Sequence, residues 1–383
     1  MNRIDQLIEE LCPEGVEYRL IKDVVRNVVA PKKIKREHYN LQGWYPIVDQ
    51  SKSMIAGYTD DADAVIHTSR YVVFGEHTCA VKYVDFEFAQ GADGLKILLP
   101  MKFVDARYLF HSVSNIRIPS RGYNRHWPVL KDLPIPIPPL EIQREIVKIL
   151  DAFTKLEAEL EAELEARMTQ YAYYRDTLLN FDGREDVRWA TLGEVGEVSM
   201  CKRVFKNETS ESGDIPFFKI GTFGGSPDAY ISRQLFEEYR SRYSYPKKGD
   251  ILISAAGTIG RAIPFDGAES YFQDSNIVWI DNNEALVTNT FLLHWYRIVK
   301  WSTEGGTVQR LYNSNLRKTA IPIPPLAEQE RIVGILDSFD ALVNDLSSGL
   351  PAEIAARRKQ YEHYRDRLLT FRERGVGITQ GNE

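Results

Sequence analysis

Cysteine is scarce: Cys12, Cys79 and Cys201 are the only three in 383 residues, and no two form a CxxC pair. That argues against a disulfide framework and a cysteine-held zinc site, and predicts a reduced, cytoplasmic setting. Long apolar runs are missing. No stretch nears the roughly 18 residues of a membrane span. The opening Met1-Asn2-Arg3-Ile4-Asp5-Gln6 is polar and helix-like, unlike a signal segment. Catalytic signatures are also absent. There is no GxxxxGK[ST] loop, no HExxH and no Asp/Asn-Pro-Pro-aromatic run of amino-methyltransferases. Gly257-Thr258-Ile259-Gly260-Arg261 is glycine-rich but has neither the loop spacing nor the lysine. The seven histidines are scattered. Glu76-His77-Thr78 matches no catalytic motif, so His77 reads as a binding or structural residue. No catalytic residue and no metal ligand is assigned. A basic excess is lacking too: formal net charge is −6, which taken alone counts against a nucleic-acid partner.

Charge is uneven, however. Glu141 to Phe181 holds nine acids and five bases. Basic clusters lie elsewhere, at Lys32-Lys33-Ile34-Lys35-Arg36, between Arg121 and Arg125, at Arg240 and Arg242, and at Lys247-Lys248. Net charge is therefore a poor guide to any one face.

A long internal repeat is present. Ile135-Pro136-Ile137-Pro138-Pro139-Leu140 leads into Gln143, Ile146-Val147, Ile149-Leu150-Asp151, Phe153, Leu156 and Leu160. The pattern returns 186 residues later as Ile321-Pro322-Ile323-Pro324-Pro325-Leu326, then Gln329, Ile332-Val333, Ile335-Leu336-Asp337, Phe339, Leu342 and Leu346. Both copies end alike, in Gln170-Tyr171, Tyr174-Arg175-Asp176 and Phe181, and in Gln360-Tyr361, Tyr364-Arg365-Asp366 and Phe371. Different globular segments separate the copies, which is not the layout of a solenoid. It predicts approximate two-fold symmetry within one chain, which suits a two-part target such as duplex DNA. At 43% hydrophobic residues the chain can fill two or three cores.

The expected organisation is a globular segment 1–133, a helical region 134–183, a second globular segment 184–319, a second helical region 320–371 and a disordered tail 372–383. In the first globular segment Met1–Leu11 reads as a helix. Trp44–Val48, Tyr71–Phe74 and Leu95–Leu99 read as strands, and Phe103–Val113 as a helix. The second repeats the plan, with strands at Ile215–Ile220, Asp250–Ser254 and Ile277–Ile280 and a helix at Asn289–Val299. The proline runs cannot lie inside a helix and read as extended lead-ins. After the first, an apolar stripe from Ile146 to Phe181 predicts a helix of about 35 residues, over 50 Å long. Such a stripe needs a partner helix, and the second copy is the obvious one. Ser347-Ser348-Gly349 and Pro351 predict a break in that second copy. The fold class is thus α+β: two α/β globular domains separated by long antiparallel helices with internal pseudo-two-fold symmetry.

Leu156-Glu157-Ala158-Glu159, Leu160-Glu161-Ala162-Glu163 and Leu164-Glu165-Ala166-Arg167 are tandem tetrads. They are good helix formers. Four residues also turn a helix about 40° beyond a full turn and lengthen it about 6 Å. One DNA base pair advances the duplex roughly 34–36°. A tetrad placed between two DNA-reading modules would re-aim one of them by about one base pair.

The repeated IPIPPL segments, the QY..YRD.LL.F endings and the LEAE tetrads resemble the specificity subunit of Type I restriction–modification systems, over essentially the whole chain. The resemblance implies two target-recognition domains, each reading half of a split DNA site. It implies helical regions that bind two methyltransferase subunits, with motor-nuclease subunits joining them, and no chemistry in the subunit itself. S-adenosylmethionine, ATP and magnesium would belong to the partners, with no cofactor on this chain. Tyr45–Gln50, Phe74–Thr78, Gly91–Gly94, Gly249–Ser254, Gly257–Arg261 and Gln273–Asn276 look like recognition-domain motifs. The two sets differ, so the half-sites should differ.

Gln, Asn, Arg and Lys read bases, and Arg, Lys, Ser, Thr and backbone amides hold phosphates. The candidate DNA contacts in the first domain are Asp49, Gln50, Lys52, His77, Thr78, Lys82, Arg121, Tyr123 and Arg125. In the second they are Lys219, Thr222, Ser254, Thr258, Arg261, Gln273, Ser275, Asn276, Gln309 and Arg310. The candidate partner contacts are Gln143, Tyr171, Tyr174, Arg175, Gln329, Tyr361, Tyr364 and Arg365. Two other readings compete: a DNA-acting enzyme with unrecognised motifs, and a coiled-coil protein adaptor.

Overall fold

A computed structural model describes residues 3–92, 94–119, 124–306 and 309–375. The chain divides into two compact units, Met1–Ala162 with Glu353–Glu383, and Glu163–Ala352.

In the first unit an antiparallel sheet runs Val25–Val28, Leu95–Pro100, Tyr71–Gly75, Val81–Val84 in spatial order. Tyr71–Gly75 is central and buried throughout, which suits its run of β-branched and aromatic residues. The helix Ala106–Ser114 covers this sheet, setting Leu109 and Val113 on Val72, Phe74 and Leu98. It starts three residues later than expected. The Asp105 carboxylate accepts the Arg107 and Tyr108 N–H groups and fixes the first turn there. A second sheet runs Gly57–Thr59, Tyr45–Val48, Phe88–Gln90, Val65–Ile66, with the middle pair parallel. The proline run is more than a lead-in. Pro134–Ile137 is a strand paired with Glu17–Leu20, where prolines are tolerated because each strand uses one edge.

The second unit keeps the same strand order. Its main sheet runs Gly196–Met200, Ile277–Asn282, Ile251–Ser254, Ala262–Pro264. Its smaller sheet runs Tyr230–Ile231, Ile215–Phe218, Tyr271–Phe272, again with a parallel pair. Arg188–Thr191 pairs with the second proline run, Ala320–Ile323. The covering helix is Asn289–Tyr296, capped by the Thr288 hydroxyl. Arg233–Arg242 adds a helix that the sequence reading did not foresee.

The helical expectation holds and is exceeded: Leu140–Leu178 is one helix of 39 residues. Within the first unit its Ile142, Ile146 and Leu150 pack with Ile4, Leu7, Leu368 and Leu369. All three are fully buried, so truncating Leu150 to Ala should cost about 2–5 kcal/mol. Within the second unit its Leu164, Tyr171 and Leu178 join Ile332, Leu336 and Val343. The break in the second helical region falls between Leu326–Asn344 and Leu350–Leu368. There the Asp345 carboxylate accepts the Ser347 N–H and the Ser347 and Ser348 hydroxyls, which terminates the helix. A Cβ on Gly349 would lie 2.6 Å from the Ala341 carbonyl, so the turn requires glycine. The expected disordered tail needs correction at its start. Arg374 N–H donates to Val16 O, and Val16 N–H donates to Arg372 O. Residues 376–383 lie outside the described residues. No helix among the described residues is long and apolar enough to cross a membrane.

Candidate nucleic-acid interface

In each unit, segments distant in sequence converge at one end of the sheets. In the first unit, Thr78 Oγ donates to Gln50 O at 2.5 Å, and His77 N–H donates to Gln50 Oε1 at 3.3 Å. A Cβ on Gly75 would stand 2.4 Å from Thr78 Oγ, so glycine lets these loops meet. Lys82 Nζ donates to Asp49 O at 2.6 Å, and Arg125 approaches Glu76 at 3.8 Å. The expected motifs Tyr45–Gln50 and Phe74–Thr78 thus form one cup. Lys52 and Thr78 are exposed, and Asp49, Gln50 and His77 are half-buried. Arg121 and Tyr123, and Asp93 of the Gly91–Gly94 motif, lie outside the described residues.

The second cup has the same backbone plan with different side chains. Gln273 Oε1 accepts the Ile220 N–H at 2.8 Å. Arg261 donates to Phe223 O at 2.7 Å, and Arg310 donates to Ser275 O at 3.0 Å and to its hydroxyl at 2.8 Å. Each guanidinium has five donors, so both arginines are oriented while keeping N–H groups free to pair. Gly260 takes φ +81, and a Cβ there would meet Trp301 Nε1 at 2.3 Å. Lys219 is paired with Asp228 at 2.9 Å, and its N–H donates to Thr222 Oγ. Gln309 bonds Thr303 and the Gly305 carbonyl within its own loop. Thr258 and Gln309 are exposed; Gln273, Ser275 and Asn276 are half-buried.

Four expected contact residues need correction, because their polar atoms are committed inside the chain. Lys82 is only 4% exposed, and burial pushes its ammonium below the ordinary lysine value. It fastens Asp49, which follows Tyr45–Val48, to the strand Val81–Val84 of the other sheet and does not face outward. The buried Ser254 hydroxyl donates to Thr258 O and accepts the Arg261 N–H, so it shapes the glycine-rich turn. Gln143 and Gln329, expected to meet partners, are both fully buried. Gln143 accepts the Asp105 N–H and donates to Phe103 O and Pro138 O. Gln329 accepts the Thr288 N–H and donates to Leu286 O and Pro324 O. Both amides tie the covering helix to the helix after the proline run.

The repeated aromatics are partly internal as well. Phe153 stacks on Tyr364 at 5.4 Å and lies 6.3 Å from Tyr361. In the second unit Phe339 stacks on Tyr174 at 5.2 Å and lies 6.3 Å from Tyr171. Tyr171 and Tyr361 therefore face inward, whereas Tyr174 and Tyr364 keep an exposed side. Arg175 and Arg365 each pair with the aspartate that follows.

Several consequential residues escaped the sequence reading. Arg358 bridges Glu157 and Glu161 of the tetrads, both at 2.5 Å. Buried His111 bonds Asp151 at 2.8 Å, and buried His294 bonds Asp337 at the same distance. Burial lowers both imidazoles below the ordinary value, against the pull of their aspartates. The signal was available: the two aspartates occupy the same place in the repeated Ile-Leu-Asp runs. Glu76 of the Phe74–Thr78 motif is another such residue: nothing in the sequence sets it apart from the other acids. Among the described residues no group of three or more histidine, cysteine, aspartate or glutamate side chains is placed to hold a metal.

A family model described as Type I restriction modification DNA specificity domain matches residues 13–167 and 184–356. A putative type I restriction enzyme specificity subunit of Haemophilus influenzae is 46% identical over 377 residues, covering 93% of this chain and 96% of the relative. The EcoR124I/EcoR124II specificity subunit of Escherichia coli is 32% identical, covering 88% and 90%. Among solved structures, the type I S subunit of M. genitalium aligns with TM-score 0.59 at 13% identity, over 93% of this chain and 96% of that one. A chain from work on complex assembly and conformational transition of the type I R-M system aligns with TM-score 0.58 at 19% identity, over 94% and 98%.

Proposed function

This chain belongs to the Type I restriction modification DNA specificity family, and on that premise we propose that each unit reads one half of a two-part duplex DNA site through its cup. The chain is the specificity subunit of a type I restriction–modification system, with catalysis in its partner subunits. One observation carries the two-part reading. Two units of matching strand order gather loops at the same sheet end, yet present different polar side chains there. Equal scaffolds with unequal readers suit two different half-sites. The exposed Arg125, Lys52, Thr258 and Arg261 would meet bases or phosphates, with Gln50, His77, Gln273, Ser275, Asn276 and Arg310 at the cup walls.

In the same reading, two methyltransferase subunits bind the repeated helical surfaces, including the exposed sides of Tyr174 and Tyr364. A surface presented twice favours two copies of one partner. Motor-nuclease subunits join that assembly in the cytoplasm. S-adenosylmethionine, ATP and magnesium act on those partners, and this chain binds no cofactor.

The test is reconstitution with the cognate methyltransferase. Methylome sequencing should return one bipartite adenine motif, and sedimentation should give two methyltransferases per chain. Methyl transfer by the chain alone would revive the enzyme reading. A complex that forms but protects no DNA would favour the adaptor reading.

A further inference from the structure

We propose that Glu76 is a specificity-determining residue of the first cup: from its buried position its single negative charge offsets half the positive charge of Lys96 and Arg125, and it holds the exposed Arg125 for a base edge rather than a phosphate. The inference rests on the DNA-reading function proposed above. The Glu76 side chain is 6% exposed, with Oε1 3.7 Å from Lys96 Nζ and Oε2 3.8 Å from Arg125 Nε. The cations are 32% and 63% exposed. A buried carboxylate thus holds two cations that solvent can reach.

The second unit supplies an internal comparison. Glu76 N–H donates to Gly94 O, and Glu76 O accepts the His126 N–H. Ala255 N–H donates to Asn276 O, and Ala255 O accepts the Leu311 N–H. Glu76 and Ala255 therefore occupy the same position. So do Arg125 and Arg310, each one residue before the amide that closes this link. In the second cup the arginine is anchored by neutral oxygens of Ser275. In the first it faces a full negative charge.

The difference has a chemical consequence. DNA phosphates attract free arginine and lysine regardless of sequence. One carboxylate between two such cations halves their net positive charge and so weakens that attraction. Binding here then depends more on a base edge that the exposed Arg125, positioned by Glu76, can meet, such as guanine O6 and N7. The carboxylate sacrifices general affinity for discrimination.

The experiment compares Glu76→Gln with the wild-type chain in its methyltransferase complex, titrating target and unrelated duplexes over a range of salt. Glu76→Gln should bind unrelated DNA several-fold more tightly. Its log–log salt slope should steepen by about one, for the single negative charge removed. Discrimination should fall about tenfold in the half-site read by the first unit and stay unchanged in the other half. Adding Arg125→Gln should reverse much of the gain. Unchanged slope and unchanged discrimination overturn the inference, as does a loss spread equally over both halves. Should Glu76→Gln not fold, Arg125→Gln and Arg310→Gln decide the matter. The first should lower non-specific affinity much less than the second, and equal losses would mean that Glu76 neutralises nothing. A wild-type complex with no sequence preference would overturn the reading function itself, and the inference with it.

Discussion

Gln143→Ala and Gln329→Ala should each destabilise the chain severely, although neither removes a large apolar group. Each amide accepts one backbone N–H and donates to two backbone carbonyls. Both side chains are 0% exposed. Truncation therefore strands one donor and two acceptors, of which the Pro138 and Pro324 carbonyls lie at fully buried bonds. At about 1–1.5 kcal/mol for each lost bond, the cost is about 3–5 kcal/mol per site, the upper end applying if water does not enter the cavity. The two amides lie in different units and share no partner, so the double variant should lose about the sum. Urea titration followed by circular dichroism measures the loss. Hydrogen exchange localises it, since the Asp105 and Thr288 amides should lose protection in their respective variants. Losses below about 1 kcal/mol with both amides still protected would refute the reasoning, and the glutamines would again be available to partners.

Acid should weaken the link between each covering helix and the helix that follows its proline run. Burial holds His111 and His294 below the ordinary imidazole value, so the stability they lend is complete above about pH 6.5 and is lost as pH falls toward the folded value. The wild type should show a steeper fall in melting temperature from pH 7.5 to 5.5 than His294→Gln, and equal slopes would argue against this link. Deleting Leu160–Glu163 should leave the chain folded, because Leu164 and Glu165 move into the places of Leu160 and Glu161, the latter a partner of Arg358. The methylated motif should keep its bases while its spacer shortens by about one base pair; methylation at the original spacing would dismiss the helix as a ruler. Arg310→Ala and Arg261→Ala should each weaken DNA binding in the complex. A base contact would relax one position by about 1–3 kcal/mol, a phosphate contact would lower binding uniformly, and unchanged affinity in both would remove this cup from the DNA face.

The long helix, its proline lead-in, the break before Leu350 and the duplicated plan were all legible in the sequence. Helical periodicity, proline chemistry and repetition act over a few residues, so the order of residues alone carries them. The motifs of the cups were legible as strings, and the first unit's three all meet through their described residues, Gly91 N–H donating to Val48 O and Glu76 N–H to Gly94 O. Which of their side chains face outward was not legible. Lys82, Ser254, Gln143 and Gln329 have the chemistry of contact residues, but their partners come from segments far away in sequence, and only packing decides that their donors and acceptors are satisfied internally. The same holds in reverse for Glu76. As a residue in a string it is one acid among many, and it gains a role because the tertiary fold buries its carboxylate between Lys96 and Arg125. Periodicity determines which elements form; burial, set by long-range contacts, determines which of their polar groups remain free to act.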